Sequence, residues 1–374
     1  MLTKALIVAD LGSSCFKLMY TAPTGQTKVV LMPPEFGQVD ALQIDQQMES
    51  YQDDPVRSAY IHVNGEVYAA GEFARDAHVV QYHEFSKWHD FTLKVLIILG
   101  LIKELTGMPN NFSATLGLLL PRAEATVGDR NERIDEVKRV AAEGFMFRNG
   151  SEPVHCDLEL MLFTEGSGVY VNHSAAMHAQ GQYTLRMDVP ILMGGERNTS
   201  LTYFEKGKLN PKRSDSNGPH FYEVAESVRK SIGADVPLHA LIKAIARRQS
   251  HFRYPGLMPI DISEATETAL DTYTQNLKRY LQARLPVENV SLCGCGGALW
   301  LVWDRLQPWF EHELHISASY LNEALQSELR GILASDFSFD LEQNPADPLR
   351  FADAYGVYKT LLAHQRRMSP AQVA

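Results

Sequence analysis

Twice along the chain, an apolar strand runs into a glycine turn edged with hydroxyls and returns as a second apolar strand. The first copy is Ala5 to Ala9, then Asp10-Leu11-Gly12-Ser13-Ser14-Cys15-Phe16-Lys17, then Leu18 to Tyr20. The second is Tyr183 to Met193, then Gly194-Gly195-Glu196-Arg197-Asn198-Thr199, then Ser200 to Phe204. A continuous apolar run of this length reads as a buried strand. A glycine between two such runs permits a sharp turn and close approach of the backbone to a ligand. Amides and hydroxyls crowded into such a turn form a nest for an anion. Lys17 adds a point charge, and Asp10 offers a carboxylate to a hydrated Mg²⁺. Alone, the first copy is a Gly-Ser hairpin with a surface lysine. Its recurrence in the second half predicts two related lobes, whose turns would hold one polyphosphate from both sides.

The rest of the chain fits an α/β protein. Tyr60 to Val63 and Glu66 to Ala69 flank Asn64-Gly65, the signature of a type I′ hairpin. Phe91 to Thr106 has helical spacing and a Gly107 stop. Thr115 to Leu120 and Leu158 to Phe163 read as buried strands, and Asn131 to Ala142 as a charged helix. Thr164-Glu165-Gly166-Ser167-Gly168 leads to a helix near Ser174 to Gln180. In the second half, helices are expected over Phe221 to Ile232, Leu238 to Arg248, Ser263 to Arg284, Ala298 to Phe310, Ser319 to Leu333 and Phe351 to His364. A short strand at Asn289 to Leu292 ends in Gly294-Cys295-Gly296-Gly297. Pro33 to Asp54 reads as a polar loop or a small subdomain, and Asn210 to Pro219 as a polar loop.

Charge and cysteine usage exclude some functions. With 35 basic and 45 acidic residues, the net charge is -10. Such a chain has no generic affinity for a phosphate backbone, so no direct nucleic-acid binding is expected. The most apolar run, Val95 to Ile102, is too short to span a bilayer, so no membrane insertion is expected either. The four cysteines show neither zinc-finger spacing nor a disulfide framework, and the N-terminus shows no signal peptide. The expected location is the cytoplasm. Glu226 and Lys230, four apart on one helix face, read first as a solvated pair and second as a purine border.

Four of these pieces, in order, resemble the actin-fold ATPases. Asp10, Gly12, Ser13, Ser14 and Lys17 look like the first phosphate loop, and Gly194, Gly195, Asn198 and Thr199 like the second. Ser291 to Ala298, with Gly294, Gly296 and Gly297, is similar to the adenosine-binding turn. Phe351-Ala352-Asp353-Ala354-Tyr355-Gly356 resembles the closing hinge helix of the bacterial actins, particularly the ParM/StbA plasmid-segregation group. That group also shows a Gly-Glu-x-Tyr hairpin ending in Gly-x-x-Ala, as in Gly65 to Ala74. The resemblance implies an actin-like two-lobed α/β fold of duplicated ribonuclease H-like domains. Lobe I would be residues 1–170 completed by helix 351–374, and lobe II residues 171–350, with ATP or GTP and Mg²⁺ in the interlobe cleft.

It further implies that Glu165 orients the attacking water, that Asp10 holds Mg²⁺ through water, and that nucleotide drives self-assembly into filaments. A small basic DNA-binding adaptor would link the filament to plasmid DNA. One departure bears on turnover. The family's second loop carries an Asp two residues before its Gly-Gly, and here that position is Leu192. Glu196 and Asp188 are the nearest substitutes, and hydrolysis is expected to be weakened. Two alternatives share the turns: an actin-fold small-molecule kinase, and a structural filament protein of cell shape that binds nucleotide without appreciable hydrolysis.

Overall fold

The computed structural model describes residues 4–42, 44, 51, 54–79, 86–126, 128–285, 289–334, 339, 341–342 and 346–368. The chain divides into two compact units, Met1–Thr164 with Ala354–Ala374, and Glu165–Asp353.

Unit 1 is built on β1 (Lys4–Leu11), β2 (Phe16–Thr21) and β3 (Thr27–Met32). A small sheet follows from β4 (Phe36–Val39), β5 (Tyr60–Val63) and β6 (Glu66–Ala70), capped by helix α1 (Glu72–Asp76). Then come α2 (Phe91–Thr106), β7 (Asn111–Leu120), α3 (Arg130–Glu143), β8 (Met146–Phe147) and β9 (His155–Thr164). The main sheet has the order β3-β2-β1-β7-β9. β1 and β2 pair antiparallel, as do β2 and β3, whereas β1, β7 and β9 run parallel. Parallel strands buried on both faces need continuous apolar sequence, which β1 and β7 supply. α2 is apolar on nearly every side, because Val95 to Leu99, Leu101 and Ile102 are all buried in the core. The Asn64-Gly65 turn has φ of 54° and 83° at its two central residues, as a type I′ turn requires.

Unit 2 repeats the plan. It begins with α4 (Ser167–Ala179), β10 (Asp188–Gly194), β11 (Thr199–Glu205), β12 (Lys208–Leu209) and β13 (Asp215–Gly218). It continues with α5 (Tyr222–Ile232), α6 (Leu238–Ala246), the two-stranded ribbon β14 (His251–Phe252) and β15 (Ile260–Asp261), and α7 (Ser263–Gln282). It ends with β16 (Ser291–Cys295), α8 (Gly297–Pro308), β17 (Ser317–Tyr320) and α9 (Glu323–Ala334). Its sheet has the order β12-β11-β10-β16-β17, with β13 also on β11. The antiparallel and parallel pairings fall at the same places as in unit 1. The last helix, α10 (Ala352–Met368), straddles the boundary between the units.

Three sequence expectations change, and a fourth stretch is refined. Ser317–Tyr320 is a parallel edge strand, not the start of a helix, and α9 begins only at Glu323. α4 starts at Ser167, seven residues before the expected helix. The loop at Asn210 to Pro219 contains the short strand β13. Pro33 to Asp54 contributes β4, and residues 43, 45–50, 52 and 53 of that stretch lie outside the described residues.

Candidate functional site

The first hairpin turns tightly between β1 and β2, which stay paired up to Leu11 and Phe16. A side chain at Gly12 would begin 3.0 Å from the Cys15 carbonyl oxygen, so the turn admits only glycine without shifting. Asp10 is buried at the end of β1, opposite Lys17. Its Oδ2 accepts from Lys17 Nζ at 2.5 Å. Its Oδ1 accepts from a second ammonium, Lys87 Nζ, also at 2.5 Å. Burial alone would raise the Asp10 pKa, but the two ammonium groups outweigh it and hold the carboxyl well below its usual range.

Lys87 was not legible as a site residue. The turn at residues 86–90 places it, through several anchors. The Lys87 amide donates to Glu124 Oε2 at 2.6 Å, and its Nζ also donates to the Leu119 carbonyl at 3.0 Å. Trp88 Nε1 donates to the Glu124 carbonyl at 2.8 Å, and Arg133 donates to the Trp88 carbonyl at 3.2 Å. Nearby, burial lowers the Lys94 pKa to about 8.

In unit 2, strands β10 and β16 run parallel and bring their C-terminal ends together. Gly194 therefore lies beside Gly296. The approach is very close, because a side chain at Gly296 would begin 2.4 Å from the Gly194 carbonyl oxygen. The Gly195 amide donates to the Asn198 carbonyl at 3.0 Å and closes the turn. The same turn meets the start of α5, where the Tyr222 amide donates to the Glu196 carbonyl. The Tyr320 hydroxyl, on β17, donates to the Gly296 carbonyl at 3.0 Å.

Not every residue of this turn presents its polar group outward. Thr199 is fully buried, and its hydroxyl donates to the Pro219 carbonyl at 2.9 Å and meets the Tyr273 hydroxyl at 3.0 Å. Asn198 donates to the Ser216 carbonyl at 2.7 Å. The missing side chain of Gly294 makes room for the Trp303 ring, which a Cβ there would meet at 2.2 Å. Gly297, at the first turn of α8, faces open space.

Glu165 follows the last residue of β9, and its carbonyl accepts from the buried Thr202 hydroxyl at 2.7 Å. The helix that follows, α4, is capped from far along the sequence. Asp353 Oδ2 accepts from the Gly166 amide at 2.7 Å, and Oδ1 accepts from Gly168 and Val169 at 2.7 and 3.1 Å. The positive end of the α4 dipole thus meets a buried carboxylate.

The two substitutes for the missing second-loop carboxylate fare differently. Asp188 stands at the opposite end of β10 from Gly194, about 20 Å away at roughly 3.3 Å per residue. It is engaged there by the Tyr203 hydroxyl and Arg213. Glu196 remains in the turn. Leu192 is fully buried within the apolar cluster that includes Leu201, Leu299 and Trp303. Glu226 is bonded by Arg229 at 2.9 Å and by the Tyr222 hydroxyl, while Lys230 is exposed.

Among the described residues no group of three His, Cys, Asp or Glu could hold a metal ion, and no helix is long and apolar enough to cross a membrane. An Mg²⁺ site would rest on Asp10 with water and phosphate oxygens. The donor chemistry fits a hydrated Mg²⁺, which commonly takes only one or two protein carboxylates. Both Asp10 oxygens first have to be relieved of their ammonium partners.

Two sheets of one order, each with its glycine turns at the strand ends, define the actin-like class of fold. Solved structures of ParM-type actins share this fold. A 15-stranded ParM filament from Clostridium botulinum is 14% identical, with a TM-score of 0.63 over 96% of this chain and 99% of that one. Bacillus thuringiensis ParM with AMPPNP is 11% identical, with a TM-score of 0.61 over 97% and 99%. The archaeal actin homologue Ta0583 is 13% identical, with a TM-score of 0.63 over 96% and 99%. At such identities the likeness establishes the fold. No protein-family model and no curated protein sequence matches the chain.

Proposed function

We propose that this protein is a nucleotide-driven filament protein that binds ATP, or GTP, with Mg²⁺ and polymerises with copies of itself. The observation that carries the reading is the first hairpin, where a glycine turn stands beside a buried carboxylate held by Lys17 and Lys87. Ammonium groups beside a glycine turn suit the β- and γ-phosphates. Gly12, Ser13 and Ser14 bind phosphate through the backbone, and Asp10 takes the Mg²⁺ water shell. Gly194, Gly195 and Gly297 offer a second nucleotide-binding turn through their backbones. Asn198, Thr199, Gly294 and Gly296 shape that second turn from behind. Glu165 orients the attacking water.

Phosphoryl transfer to water is mainly positioning and charge stabilisation. With Leu192 in the core, one carboxylate of that machinery is missing. We therefore place this protein at the slow-hydrolysis end, where nucleotide binding sets assembly. The filament positions a cargo such as plasmid DNA in the cytoplasm through a small basic adaptor, since a chain of net charge -10 does not grip DNA unaided.

Light scattering and pelleting with Mg-ATP, Mg-GTP and no nucleotide test the reading. Nucleotide-dependent polymer is expected. Nucleotide binding without polymer at any concentration removes the filament role. Sugar-dependent ADP release would favour a small-molecule kinase.

A further inference from the structure

From Val236 to Ile260 the chain carries no Asp or Glu, although acids outnumber bases over the whole sequence. The same stretch holds Lys243, Arg247, Arg248 and Arg253. All four are exposed, around the end of α6 and the β14–β15 ribbon that packs against it. Arg248 lies over the Trp300 ring at 4.4 Å, a contact that positions the guanidinium without neutralising it. The carboxylate at the edge of the stretch, Asp261, accepts from the Ser263 amide at 2.9 Å. The tip of the ribbon is apolar and bare, with Tyr254, Leu257 and Met258 exposed to 36%, 44% and 83%. Its base is pinned, because Phe252 is buried in the unit 2 core and the Ile262 amide donates to the Ser250 carbonyl at 2.9 Å. Beyond the base, the Leu257 amide donates to the Tyr254 carbonyl at 3.1 Å, across Pro255 and a Gly256 of φ 81°. That is the pattern of a type II turn. A fixed turn that holds aliphatic side chains in water marks a surface of interaction.

We propose that this corner of unit 2 docks on the surface of an anionic lipid bilayer. Leu257, Met258 and the Tyr254 ring enter the headgroup boundary, and the arginines beside them meet lipid phosphates. The contact is peripheral, since no described helix can cross a membrane. The net charge of -10 does not prevent it, because charges more than about 8 Å away are screened at physiological salt and the local sign decides. A bilayer offers negative charge and an apolar interior at one surface, which the segment's two characters both require. Duplex nucleic acid supplies the phosphates but no apolar phase for Leu257 and Met258. A second copy of the chain would have to present an acidic groove, and the groove along α10, lined by Tyr355, Tyr358, Lys359, Arg366 and Arg367, is itself cationic. The inference stands apart from the nucleotide reading and would hold for a chain that never hydrolysed ATP.

The test is flotation of the full chain, without nucleotide, on vesicles of phosphatidylcholine alone or mixed equally with phosphatidylglycerol. The wild type is expected on the mixed vesicles only, and to leave them at high salt. Arg253→Gln should weaken binding about fivefold. Leu257→Ser combined with Met258→Ser should weaken it about tenfold or more. Met258→Trp should add an emission that moves to the blue on the mixed vesicles, and this arm decides the matter if the double variant does not fold. Three results overturn the proposal: a wild type that does not float, a double serine variant that floats like wild type, or a tip tryptophan whose emission stays unmoved. Sedimentation of the protein alone and titration with duplex DNA test the other occupants. Self-association lost in the serine variant, or DNA binding weakened by Arg253→Gln, each without vesicle binding, also overturns it.

Discussion

Removing the Asp353 carboxylate should loosen unit 2 at the start of α4. In the structure, that one group accepts hydrogen bonds from the Gly166, Gly168 and Val169 amides at 2.7, 2.7 and 3.1 Å, and the residue is 6% exposed. Loss of an N-terminal cap costs about 1–2 kcal/mol. Leaving further buried amides without acceptors costs about 1–3 kcal/mol each, reduced where water can reach them. We expect Asp353→Ala to lower the stability of unit 2 by about 4 kcal/mol. Asp353→Asn keeps one acceptor oxygen but turns an NH₂ toward an amide donor, and about half the loss is expected. Three of the four tryptophans, Trp300, Trp303 and Trp309, lie in unit 2. In a Trp88→Phe background, fluorescence therefore follows this unit alone through a urea titration. With a slope near ~3 kcal/mol per molar, the Ala variant should move the midpoint down by about 1.3 M. A midpoint within about 0.2 M of the parent would refute the cap.

Leu192→Asp would put a carboxylate among Leu201, Leu299 and Trp303. It should cost about 5 kcal/mol or more and yield little folded protein by circular dichroism, whereas a folded variant with faster phosphate release would show that the side chain leaves the core. Gly294→Ala should lose about 1–3 kcal/mol in a urea titration, because the new methyl meets Trp303. Gly297→Ala, facing open space, should stay within about 0.5 kcal/mol. His173 is buried on α4, with Nε2 3.1 Å from Ser291 Oγ, and burial depresses its pKa from 6.5 to about 4. The unfolded chain therefore takes up the proton first as the pH falls. This contribution is intact above about pH 6.5 and is lost between there and pH 4, amounting to about 2 kcal/mol at pH 5. His173→Gln should flatten that part of the stability profile by about one proton.

Much of the fold was legible because its signals are local. The bounds of α2 were read directly from helical spacing and Gly107, and the Asn64-Gly65 hairpin from turn chemistry. The two glycine hairpins were readable because an apolar strand, a turn and an apolar strand are contiguous in sequence. β17 was not, since Ser317-Ala318-Ser319-Tyr320 has no apolar run and becomes a strand only because β16 offers it an edge. Lys87 and Asp353 were missed for a related reason. Each acts on a partner 77 or more positions away; Lys87 sits in no motif, and Asp353 was read only as part of the hinge-helix motif, not as the cap of α4. Thr199 shows the converse, a hydroxyl suited by type and position to a phosphate but spent on Pro219 and Tyr273 inside the unit.

Unit 1 is written at both ends of the gene product, and this sets the order in which the protein can mature on the ribosome. Val357 and Leu361 of α10 lie against the backbone of Gly117 on β7. They emerge only after residues 165–353 have been synthesised. At about 5–20 residues per second, the nascent sheet waits roughly 10–40 s with that flank bare. Unit 2 can complete itself in the meantime, so the half of the protein begun first is the last to close.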